Sequence, residues 1–86
     1  MSRTLDACIY LIKRRGLRGF TRAQIARQAG ISDGAMGDME LLLSQAIRYA
    51  ASKGEWRVVG LALQERHPAA MALKPHMLVK ALEAVG

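Results

Sequence analysis

The sequence predicts an all-α fold, a compact helical bundle of five to six helices containing a helix-turn-helix. Three observations carry that expectation. Hydrophobic residues fill 51% of the 86 positions but aromatic ones only 5%, so the core must be built from Leu, Ile, Val, Met and Ala, which favours helices over packed sheets. Apolar residues recur at three- and four-residue spacing along much of the chain. Glycine and proline punctuate these periodic stretches at Gly16, Gly30, Gly54, Pro68 and Pro75. The length suits one domain, 1–86, and is too short for two.

Each element has its own local signal. Leu5, Cys8, Ile9 and Ile12 fall at i, i+3, i+4, i+7 and form the stripe of a first helix, capped by Ser2 or Thr4 and stopped by Gly16. Leu17 and Phe20 anchor the connection. A second helix opens with Thr21 and Gln24, spaced as a capping box, and runs to about Gln28 before Gly30 breaks it. Ser32 is placed to cap a third helix carrying Met36 and Met39 on one face. That helix either ends at Gly37-Asp38, with Asp38 capping a fourth, or runs on to about Ser52. Leu42, Leu43, Ala46, Ile47 and Ala50 supply the buried face in both cases.

From Glu55 to Arg66 two periods compete. Trp56, Val59 and Leu63 fit a helix, whereas Trp56, Val58, Gly60 and Ala62, or Val59, Leu61 and Leu63, could alternate in a strand. Leu, Ala, Gln, Glu and Arg at the end of this stretch favour helix. His67-Pro68 marks a break, and Pro75 opens a last helix with the stripe Leu78, Ala81, Leu82, Val85.

Charge gives the first indication of function. Residues 1–30 hold Arg3, Lys13, Arg14, Arg15, Arg18, Arg22 and Arg27 against Asp6 alone, while residues 31–86 hold six basic and six acidic side chains. The whole net charge of +6 therefore sits on the first third. A solvated basic face accounts for many such runs, and a phosphate-contacting surface has the same signature.

The segment Thr21 to Met39, TRAQIARQAGISDGAMGDM, combines that charge with a mechanical pattern. Two short helices crossing at a large angle need a small residue at their closest approach, which Ala26 provides. The turn needs a left-handed residue, which Gly30 provides without the steric cost of a Cβ. Ile25, Ala29, Ile31, Met36 and Met39 are the inward positions. Ser32 would then present the start of the second helix to a major groove.

Within this segment, IARQAGISDGAM resembles the DNA-binding helices of TetR-type repressors, and its small-residue spacing is similar to that of phage repressors. Gly37 departs from the TetR pattern, which usually has an aromatic there. With no room for a ligand-binding domain, the short chain resembles compact plasmid-encoded repressors. The resemblance implies a transcriptional repressor with no small-molecule ligand.

Roles can be assigned on that frame. Arg22, Arg27 and Gln28 would reach phosphates, as would Thr21 through its hydroxyl or amide. Lys13, Arg14, Arg15 and Arg18 would clamp the DNA backbone just before the motif. Ser32, Asp33, Gly34, Ala35, Gly37 and Asp38 would form the groove-facing surface. That surface holds no Arg, Lys, Asn or Gln, the side chains that most often make bidentate base contacts. Ala35 could touch a thymine methyl, and Asp33 could accept from a cytosine amino group or simply favour a helix N-terminus. Readout would then lean on backbone approach, water and DNA shape.

Other chemistries find little support. Cys8, on an apolar stripe, reads as a packed core thiol, and the single cysteine points to a reducing, cytoplasmic setting. His67 and His76 are isolated from ligands at metal spacing, and no catalytic grouping or phosphate-cradling loop stands out. The expectation is a non-enzymatic, soluble protein without membrane span, metal or cofactor. Residues 1–52 would bind double-stranded DNA and residues 55–86 would supply dimerisation helices, giving a homodimeric repressor on palindromic operators. The alternatives are a DNA-recognition adaptor of excisionase or packaging type, and a helical interaction module that binds an acidic partner.

Overall fold

Six α-helices and one 3-10 turn make up the computed structural model, which describes residues 3–86, with no strand among them. The helices are α1 (Arg3–Arg15), α2 (Arg22–Ala29), α3 (Met39–Lys53), α4 (Trp56–Gln64), α5 (Pro68–Met71) and α6 (Pro75–Val85), and the 3-10 turn spans Asp33–Ala35. The expected all-α bundle is present.

In α1, Cys8 and Ile12 are fully enclosed and Ala7, Ile9 and Leu11 complete the buried stripe. Its last turn carries Lys13, Arg14 and Arg15, cations that suit the negative end of the helix dipole. The Gly16 amide donates to the Ile12 carbonyl at 2.8 Å and closes the helix. Thr4 lies inside α1 and so does not cap it; the other expected cap, Ser2, lies outside the described residues. Leu17 and Phe20 are buried and pin the connection to α2.

α3 is the central element. It packs on α1, α4 and α5, while α6 packs chiefly on α4. Leu42, Leu43, Ala46, Ile47 and Ala50 form its inner face as expected, joined by Ala51. The stretch 55–66 resolves as helix α4, with Val58, Val59 and Ala62 fully buried. At the expected break, Pro68 instead opens the single turn α5, whose cap is the buried His67: its Nδ1 accepts from the Ala69 amide at 3.1 Å. Three of the four expected α6 positions lie on its inner side, with Ala81 buried and Leu78 and Val85 half-buried. Met77 packs against the core, and Leu82, the fourth, faces outward together with Val79.

Candidate nucleic-acid interface

The basic N-terminal third builds the candidate site from α1, α2 and the segment between α2 and α3. The capping box at the start of α2 is complete. The Gln24 amide donates to the Thr21 hydroxyl at 3.2 Å, and the Thr21 amide donates to Gln24 Oε1 at 2.7 Å. α2 ends at Gly30, whose φ of 73° lies in the left-handed region, and the Ile31 amide returns to the Ala26 carbonyl at 3.0 Å. This 6→1 closure is the Schellman geometry that a glycine at this position permits. Ile25, Ala26, Ala29 and Met36 are buried, and Ile31 and Met39 pack at the core edge.

Beyond Gly30 the chain departs from expectation. No α-helix starts at Ser32: its side chain makes no capping hydrogen bond, and the segment forms only the 3-10 turn Asp33–Ala35. Met36 is extended, with φ −92° and ψ 150°, and the chain enters α3 through Asp38, whose Oδ2 accepts from the Leu41 amide at 3.2 Å. The physical reason lies in the residues. Two glycines within four positions weaken helix propensity, and Asp38 is a stronger N-cap because its carboxylate reaches an amide while Ser32 reaches none. Of the two continuations open to the sequence, the one that breaks at Gly37-Asp38 is present. The expected recognition helix is thus a short strap, pinned at its middle by buried Met36. Ser32, Asp33, Gly34, Gly37 and Asp38 are exposed on it. Arg22 ties α2 to the strap, with Nη2 donating to the Asp33 carbonyl at 3.2 Å.

The expected phosphate clamps are not one patch. Lys13 is paired with Glu55 at 3.3 Å. Arg18 donates to Glu65 at 3.0 Å and to Glu40 at 3.3 Å, and the hydrogen bonds to Glu40 and then Glu65 raise its guanidinium pKa above the ordinary value. Arg14 lies over the Tyr10 ring at 5.3 Å. Arg3, Arg15, Arg22 and Arg27 are exposed and form no ion pair with any described residue.

Three depressions separate these cations, one of them of about 360 Å³ and lined by Arg3, Asp6, Ala7, Tyr10, Gln28 and Ala29. A cleft of about 450 Å³ is lined by Asp6, Ile9, Tyr10, Lys13, Arg14, Lys53 and Glu55. A smaller groove of about 180 Å³ runs between the end of α1 and the outer face of α2, lined by Leu11, Arg15, Gln24, Arg27 and Gln28. It gathers three of the expected contacts, Arg15, Arg27 and Gln28. Gln24 reads from the sequence only as a cap, yet its i, i+3, i+4 relation to Arg27 and Gln28 marks a shared polar face. Glu40, Glu55 and Glu65 are partners of Lys13 and Arg18 that sequence reasoning misses, since separations of 22 to 47 residues leave no local signal.

Compared with protein-family models, with curated proteins and with solved structures, the chain matches none.

Proposed function

We propose that the protein is a sequence-specific double-stranded DNA-binding repressor that acts as a homodimer by occupying promoter DNA. The observation that carries this reading is the set of exposed arginines without a carboxylate partner among the described residues on α1 and α2, in a stretch whose one acid is Asp6, whereas the equally exposed and unpaired Arg48, Arg57 and Arg66 lie among the six acidic residues of 31–86. Arg3, Arg15, Arg22 and Arg27 stand exposed on α1 and α2, while the acidic residues of the rest of the chain neutralise Lys13 and Arg18. Exposed cations without carboxylate partners release counterions from a phosphate backbone and give affinity. The TetR-type resemblance favours a DNA partner over a generic polyanion through the part of the motif that is folded as expected, α2 with its turn at Gly30, and not through ISDGAM, which forms no α-helix.

With no recognition helix at Ser32, base-edge readout falls to the strap. Its exposed groups are the Ser32 hydroxyl, the Asp33 carboxylate and the backbone at Gly34 and Gly37. Residues 31–40 carry Asp33, Asp38 and Glu40 and no basic side chain, so the strap contributes discrimination and the flanking arginines contribute attraction. The outward Val79 and Leu82 of α6 supply the apolar surface for a second copy. No described helix is long and apolar enough to cross a membrane.

Selection of bound duplexes from a random pool at two salt concentrations tests the reading, followed by anisotropy titration of the Arg22→Glu, Arg27→Glu variant on the selected site. The expected result is a near-palindromic consensus and loss of binding by the variant with its fold intact. Recovery of no enriched sequence, or unchanged affinity of the variant, overturns it.

A second reading is an interaction module for an acidic protein. The cleft that favours it joins apolar Ile9 and Tyr10 to Arg14 and Lys53, cations without a carboxylate partner among the described residues, while Asp6 and Glu55 complete the lining and Glu55 holds Lys13.

A further inference from the structure

We infer that the groove between the C-terminal turn of α1 and the outer face of α2 is a backbone-phosphate site for duplex DNA, formed by Arg15 and Arg27 with Gln24 and Gln28. The inference rests on the DNA-binding reading and divides the basic residues into those that take part and those that do not.

The two arginines come from different helices and line the same groove, and neither is paired with a carboxylate among the described residues. The groove contains no acidic side chain, unlike the larger cleft, where Asp6 and Glu55 face the cations. Its neutral members are donors. Gln24 spends Oε1 on the Thr21 amide at 2.7 Å, which leaves its Nε2 hydrogens for a ligand oxygen. Gln28 is exposed at the next turn of the same face. Two guanidinium forks and two amide donors around a depression of about 180 Å³ suit a tetrahedral oxyanion, and a guanidinium meets phosphate oxygens in bidentate fashion. Leu11, itself buried, is the one apolar side chain of the lining.

Lys13 and Arg18 belong to the other class. Their charges are matched by Glu55 and by Glu40 with Glu65, so phosphate contact would exchange one ion pair for another with little net counterion release.

The test is the salt dependence of affinity for the selected duplex, measured for the wild type, for R15Q/R27Q and for K13Q/R18Q, with circular dichroism confirming each fold. Each phosphate contact contributes about 0.9 to the slope of log K against log salt. R15Q/R27Q is expected to lower the slope magnitude by about 1.8, and K13Q/R18Q to leave it within about 0.5. Amide shifts at Gln24 and Gln28 on adding the duplex, absent in R15Q/R27Q, place the contact in the groove. An unchanged slope in R15Q/R27Q overturns the site while DNA binding stands, and a lowered Tm alongside it assigns both arginines to the helix C-termini alone. A wild type that binds no duplex overturns both.

Discussion

Gly60 of α4 lies against the backbone of Ala81 in α6, so closely that a Cβ on Gly60 would sit 2.5 Å from the Ala81 carbonyl oxygen and 2.6 Å from Val85 Cγ1. A glycine inside a helix costs about 1 kcal/mol relative to alanine. Here that cost is offset by the close approach that seats the last helix on the bundle. Gly60→Ala therefore sets a propensity gain against a clash with main chain, which cannot swing aside. Overpacking costs about 1–3 kcal/mol, so the expected outcome is a lower thermal midpoint, whereas Ala would raise it at an unobstructed site. An unchanged or higher midpoint would mean that the two helices stand further apart.

The two candidate caps around the strap give a second prediction. Asp38→Ala removes a carboxylate that accepts from the Leu41 amide and should cost about 1 kcal/mol in denaturant unfolding. Ser32→Ala removes a hydroxyl with no capping bond and should leave stability within about 0.5 kcal/mol. Equal losses for the two variants would restore a helix beginning at Ser32.

A third concerns Arg66, the one described non-glycine residue with positive φ, at 55°. It ends α4 in the position that Gly30 and Gly54 occupy after α2 and α3, and the His67 amide returns to the Ala62 carbonyl at 3.0 Å. An L-residue in this region costs roughly 1 kcal/mol, part of which glycine recovers. Arg66→Gly should raise the urea midpoint, an effect that contact-based reasoning about a surface arginine would not anticipate. A decrease would show that the Arg66 side chain contributes more than its backbone costs.

Burial pushes the Cys8 thiol up from its ordinary 9.0 to about 11. The neutral thiol is thus favoured in the folded chain. Its contribution to stability is complete below pH 9 and is lost as pH rises through about 11. Wild type should lose stability between those values more steeply than Cys8→Ala, as read from denaturant midpoints. A thiol reagent at neutral pH should modify Cys8 only once the chain is unfolded; rapid labelling of the native protein would contradict its enclosure.

The last prediction addresses the proposed dimer. Val79 and Leu82 are each 55% exposed on α6, so replacing both with lysine removes apolar surface without touching the core. Sedimentation should show a dimer for wild type and a monomer for V79K/L82K, with similar helicity. A wild type that is monomeric both free and on operator DNA removes the homodimer from the functional reading.

The sequence made the fold legible wherever local periodicity and caps agreed. Cys8 and Ile12, Ile25 and Ala29, and Leu43 and Ile47 are each four residues apart, and each is buried. It was less informative where two local signals competed. Ser32 and Asp38 are both good caps by residue type, and their ranking depended on which one had an amide within reach. Periodicity put Leu82 on the inner stripe of α6 with Leu78, Ala81 and Val85, but a helix packed chiefly on one neighbour covers only part of its apolar stripe and leaves Leu82 at the uncovered edge. Gly60 blurred the choice between strand and helix because the reason for a glycine there lies 21 residues away. At the candidate site, the arginines were visible from composition, but their division into paired and unpaired groups depended on carboxylates brought in by the tertiary fold.

Gly34 and Gly37 have no neighbouring atom within 4 Å of where a Cβ would be, and neither has a positive φ. A side chain at either position therefore meets no clash, while replacing both removes the glycines that disfavour a helix after Ser32. The exposed strap is a module whose chemistry can drift while Met36, Gly30 and Asp38 keep its ends and anchor fixed. Substitution there would change the exposed face of the strap and leave the packing of the arginine-bearing helices α1 and α2 as it is.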